Sequence, residues 1–102
     1  MMEFHTIEDT CGLMASGDYK DRFKAEYFQT KIRYERLKAF NNKIEAANMT
    51  MQYPVNVCSP VESEIEMPTH DCPDHLLREQ QRVMGEYLHI LEVRAVIERI
   101  DL

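Results

Sequence analysis

The sequence has 102 residues, with 12 Lys and Arg against 18 Asp and Glu and a formal net charge of -6. That length makes one domain with a small core, and the acidic balance excludes a protein that coats nucleic acid, whose backbone would repel it. No apolar run approaches the ~20 residues of a membrane-crossing helix, and the start MMEFHTIEDTCGLM has no basic n-region, so Cys11, Cys58 and Cys72 are expected as reduced thiols in a cytosol.

Residues 1–16 are polar and mixed, with a short apolar stretch at Leu13 and Met14, and are expected to form a loosely held N-terminal arm. Ser16 or Asp18 then suits a helix N-cap, with Asp18 and Asp21 near the positive end of the dipole. Helix one is expected over 17–47. In it Phe23, Tyr27, Thr30, Tyr34, Leu37, Asn41 and Ile44 step by four and three, a heptad-like seam. Eight basic residues and four acidic ones lie between Asp18 and Lys43, so this segment is +4 while the remainder is -10.

Residues 48–72 lose that period. They carry Pro54, Pro60 and Pro68, acids from Glu62 to Glu66, and a β-prone stretch from Met51 to Cys58, with a short extended piece expected around 53–57. A connection of this length inside a small domain is usually functional or mobile. Helix two is expected over 73–100, with Pro73 at the first helical position and Asp71 and Asp74 close to the N-terminus.

Two long helices cannot cover two wide apolar faces by themselves. The expected fold is therefore all-α: a long two-helix antiparallel hairpin with a long irregular connection, a single domain over 1–102, assembled as a homo-oligomer.

Helix two carries a polar line within an apolar face. Gln80, Tyr87 and Arg94 lie seven residues apart, between rows of Leu, Val, Ile and Met. Tyr27, Tyr34 and Asn41 make a matching line on helix one. Facing lines would fix register in a helical assembly, as a buried Asn does in a coiled coil. Alternatively they meet a ligand. Helix one holds six of the nine aromatics among its cations, and Lys or Arg pair with phosphate while rings stack on bases. The candidate ligand-binding residues are Tyr27, Lys31, Tyr34, Gln80, Tyr87 and Arg94.

Other chemistry is poorly supported. Cys58, His70, Cys72 and His75 are metal-capable, but the spacing Cys-x11-His-x-Cys-x2-His matches no known zinc module, so no metal is expected. No Ser or Cys stands beside a His in a nucleophile pattern, and Gly12, Gly17 and Gly85 are too scattered to cradle phosphate. The chain is expected to be a non-enzyme without cofactors.

Two blocks carry a resemblance: SGDYKDRFKAEYFQTKIRYERL at 16–37 and CPDHLLREQQRVMGEYLHILEVRAVIERIDL at 72–102. They resemble a family of small phage and prophage proteins of gut Firmicutes related to a crAss-like phage protein. The second block, in its order of Pro, Leu-Leu, Gln, Met, Tyr, Leu and Arg, is the more specific. In size and architecture the hairpin is also similar to phage anti-defence sponges, which sequester cyclic or ADP-ribose-type nucleotides made by bacterial immune systems. The resemblance implies an oligomeric nucleotide sponge in the host cytoplasm, with itself and a small anionic nucleotide as partners, and neither DNA nor membrane. The competing readings are an oligomeric protein–protein interaction module that inhibits or scaffolds a host or phage protein, and an acidic mimic of nucleic acid.

Overall fold

The computed structural model describes residues 4–52 and 66–102, without the side chains of 51 and 52. Cys58, the β-prone stretch after Met51 and the extended piece at 53–57 lie outside the described residues. What is described is all-helical: a 3-10 turn at Glu8–Thr10, α1 (Cys11–Met14), α2 (Tyr19–Gln52) and α3 (Asp74–Glu98).

α2 begins where the Asp18 carboxylate accepts from the Lys20 amide at 3.0 Å. Ser16 locks that start: its hydroxyl accepts from the Asp18 amide at 3.1 Å and donates to Asp21 at 2.8 Å. The helix then runs 34 residues without a Gly or Pro. It passes the end expected near Ala47 because nothing in 48–52 breaks it. Thr50 hydrogen-bonds back to the Ala47 carbonyl at 2.9 Å, and Pro54 is the first residue that disfavours helix before it.

α3 differs from expectation at both ends. Pro73, expected inside the helix, is its N-cap with extended ψ of 142°, and its carbonyl accepts from the Leu76 and Leu77 amides. At the other end Arg99 takes a left-handed conformation, φ 58° and ψ 44°. The chain turns there, the Ile100 amide bonds the Ala95 carbonyl at 2.8 Å, and the Ile100 side chain drops into the core. Ile100 reads as helical in spacing, yet it is the apolar plug of a Schellman-type stop.

α2 and α3 run antiparallel. Forward steps along α2 meet backward steps along α3: Tyr19 contacts Glu98, Tyr27 contacts Glu92, and Asn41 contacts Gln81 and Leu77. Between them Phe23, Tyr27, Leu88, Leu91, Ala95 and Ile100 form the core. Close approach at mid-pair needs Gly85, where a Cβ would stand 3.3 Å from the Tyr34 ring.

The N-terminal segment is not a loose arm over its described part. Asp9 accepts from the His5 and Thr6 amides, both at 3.1 Å, and so holds the turn. Those backbone hydrogen bonds pull the Asp9 carboxyl below its ordinary pKa. Thr10 is fully buried and accepts from Gln29 Nε2 of α2 at 2.9 Å. Phe4 packs on Phe28 with ring centroids 4.6 Å apart. The sequence shows mostly polar residues here; the segment is docked by hydrogen bonds from Gln29 to Thr10 and Met14, by Arg22 to the Ser16 carbonyl, and by the Phe4–Phe28 ring pair, none visible as periodicity.

Candidate functional site

The two polar lines do not face each other. Each crosses to a glutamate of the opposite helix, on opposite sides of the core seam. Tyr27, buried, donates to Glu92 Oε2 at 2.6 Å, and burial together with that bond pushes its phenol well above the usual range. Tyr87 donates to Glu26 Oε1 at 3.2 Å, an oxygen that also accepts from Thr30. Partial burial and Glu26 raise the Tyr87 phenol as well. The tyrosines stay neutral donors because a phenolate beside a carboxylate would be doubly unfavourable.

Arg94 is exposed, but not idle. Its Nε donates to Glu98 Oε2 at 2.9 Å, its Nη2 donates to the Tyr19 hydroxyl, and its guanidinium lies 5.0 Å from the centre of the Phe23 ring. Tyr19 in turn donates to Glu98 Oε1 at 3.0 Å. The Arg94 bond holds the Glu98 carboxyl below its ordinary range and the guanidinium firmly protonated. The apolar flanks that make Arg94 look buried in the sequence are real, but only one of them faces the core. Leu88, Leu91 and Ala95 are buried, while Val83, Ile90 and Ile97 are 48, 54 and 73 % exposed. The polar line marks the edge between these two rows.

The structure thus sorts the six candidate residues into two groups. Tyr87 and Arg94, with exposed Gln80 a further seven residues back, lie along one edge of the helix pair beside Tyr19, Phe23 and Glu26. Tyr27, Lys31 and Tyr34 belong with Glu92 and Gly85: Lys31 Nζ sits 6.0 Å from the Tyr27 ring centre, and the half-buried Tyr34 ring lies on Gly85. Asn41, third in the α2 line, donates to the Leu77 carbonyl and Gln81, while its own buried Oδ1 has no hydrogen-bond partner.

Sequence reasoning missed Tyr19, Phe23, Glu26, Glu92 and Glu98 as members of these groups. Glu98 stands one turn from Arg94 on α3, an i,i+4 pair that the sequence does show; Tyr19, Phe23, Glu26 and Glu92 join through the register of the two helices. Chemically, each edge combines a carboxylate, aromatic rings and a cation. Carboxylates accept from ribose hydroxyls, rings stack on bases, and cations meet phosphate.

The α2 and α3 helices also carry the match to known proteins. Residues 17–55 and 61–97 fit the model of one family, Sequestin. The chain belongs to the Sequestin family. The matched stretches contain nearly all of both long helices, and the residues of both edges except Glu98, but leave out the docked N-terminal segment. No match is found among curated proteins or solved structures.

Among the described residues no three or more His, Cys, Asp and Glu are placed to hold a metal. His70 instead donates through Nδ1 to the Cys72 carbonyl at 2.6 Å, approaches Asp74 at 3.1 Å and stacks edge-on against Phe40, all at the entry to α3. No helix among the described residues is long and apolar enough to cross a membrane.

Proposed function

We propose that this chain is a phage-encoded, non-catalytic sponge that sequesters a small nucleotide immune signal of the host, working in the host cytoplasm as a homo-oligomer. The family's name speaks of sequestering, which fits a protein that holds its ligand without changing it. The observation that carries the reading to a nucleotide is the Arg94 edge. There a guanidinium is aligned by Glu98 and Tyr19 over the Phe23 ring, with Tyr87 two turns back along the same helix. Arg94 is exposed and so is open to a phosphate that competes with Glu98. Glu26 supplies an acceptor for ribose, and Tyr87, 40 % exposed, presents a ring face. On the opposite edge Lys31, Tyr27 and Tyr34 repeat the cation-and-ring chemistry.

The test is the melting temperature of the pure protein across a panel of cyclic and ADP-ribose-type nucleotides. A nucleotide at 100 times its dissociation constant stabilises by about 2.7 kcal/mol. Absence of any shift across the panel removes the nucleotide from the account. The second reading, a protein–protein interaction module, is favoured by the exposed apolar row of α3. It predicts no nucleotide shift and co-purification with a defined protein.

A further inference from the structure

The outer row of α3 is a surface without a partner among the described residues. Leu76, Val83, Ile90 and Ile97 are 52, 48, 54 and 73 % exposed, and Val93 and Val96 beside them are 44 and 80 % exposed. The first four stand seven residues apart each time. That is the repeat that keeps one stripe facing a partner helix along its whole length. Exposed apolar surface this continuous marks an interaction face.

We propose that this row docks on the same row of a second copy, with the two α3 helices antiparallel about a two-fold axis near Tyr87. Three features select a copy of this chain over a foreign helix. The row is symmetric about its own midpoint, so an isologous contact pairs Val83 with Ile90 of the partner subunit, and Leu76 with Ile97 of the partner subunit. The polar line on its flank is complementary to itself in the same sense. Gln80 then faces Arg94 of the partner subunit, and Tyr87 meets its own counterpart. A parallel pairing would set Arg94 against Arg94. The acid nearest the midpoint, Glu86, is already held by Arg82 at 2.7 Å, and Arg82 bridges to Glu79 as well, so little net charge enters the contact.

From Leu76 to Ile97 is about 32 Å at 1.5 Å per residue, so the row can lie along a partner helix over its whole length. Docking there brings both Arg94 edges to one seam between the subunits. A ligand held by Arg94 and Tyr87 would then touch both copies. That consequence rests on the sponge reading; the docking face does not.

The experiment reads assembly without ligand. Sedimentation velocity at micromolar concentration should give a dimer for the wild-type chain and a monomer for Ile90→Glu and Val83→Glu, with circular dichroism unchanged because both positions are already exposed within one chain. For direction, Leu76→Cys and Ile97→Cys are made in a background with Cys11, Cys58 and Cys72 replaced by Ser. Oxidation should cross-link a mixture of the two, and neither alone. A wild-type monomer, or a dimer that survives Ile90→Glu, overturns the proposal. Leu76→Cys that cross-links with itself overturns the antiparallel arrangement. A dimer that binds no nucleotide leaves this face intact and ends the sponge reading. A monomer that binds nucleotide overturns this face and the homo-oligomer, and leaves nucleotide sequestration standing.

Discussion

The Tyr27 hydroxyl spans the helix pair to Glu92 at 2.6 Å, the shortest α2–α3 hydrogen bond from a buried donor among the described residues. One end is buried in the core and the other is exposed, so the bond fixes register at the point where packing meets water. Tyr27→Phe should cost about 1 kcal/mol, the usual net worth of such a bond, read as a lower urea midpoint with unchanged slope.

The same pair sets an alkaline signature. Burial and Glu92 raise the folded-state pKa of Tyr27 above its ordinary 10.0. A group raised in this way stabilises fully below its unfolded pKa and loses that contribution as pH rises through the folded one. Stability should therefore fall with pH above about 10 in the wild type, and more shallowly in Tyr27→Phe. Melting temperature against pH measures the difference, and ultraviolet titration should show one fewer late-ionising phenol in the variant.

Arg99 holds a left-handed backbone conformation that a side chain resists. Arg99→Gly removes that strain, worth roughly 1–2 kcal/mol, and keeps the turn that buries Ile100. The variant should be more stable in urea. Ile100→Ala should be less stable by about 2–5 kcal/mol, as for other core truncations.

Much of this fold was readable in advance. The two helices follow from apolar spacing, from the Asp18 cap, and from 34 residues free of Gly and Pro. The polar line was readable as well, but not its side. Spacing places Gln80, Tyr87 and Arg94 between two apolar rows without saying which row meets α2. Packing decides that through Leu88, Leu91 and Ala95. The glutamates were unreadable as partners because Glu26 and Glu92 lie 61 and 65 residues from the tyrosines they bind. Thr10 and Gln29 were silent for the same reason: isolated hydrogen bonds help to dock the N-terminal segment, and such bonds leave no periodic trace.

Gly85 faces the Tyr34 ring. Gly85→Ala should gain helix propensity of about 1 kcal/mol, offset by the 3.3 Å approach of the new Cβ to Tyr34 Cε1. In a Tyr34→Ala background the full gain should return. A double-mutant cycle by urea denaturation reads this coupling. Equal effects of Gly85→Ala in both backgrounds would mean that Tyr34 yields freely.

Thr10 is buried and accepts from Gln29. Thr10→Val keeps the shape and leaves the Gln29 amide short of an acceptor, a penalty of about 1–3 kcal/mol. Limited proteolysis should then cut within residues 4–14 faster than in the wild type, while the α2–α3 pair persists.

Arg94→Met keeps volume and removes the charge. Arg94 is exposed and tied to Glu98 and Tyr19, so the helix pair should still form, and any stabilisation by nucleotide should vanish. Raised salt should weaken the wild-type interaction in the same direction, because screening acts on the phosphate–guanidinium contact.

The central claim is that the chain holds a nucleotide and does not transform it. Equilibrium dialysis against a panel of labelled cyclic and ADP-ribose-type nucleotides, followed by heat denaturation and chromatography of the released material, tests both halves at once. The account predicts retention of at least one nucleotide by the wild type, loss of retention in Arg94→Met, and recovery of the nucleotide chemically intact. No retention across the panel, or recovery as a cleaved product, would contradict it.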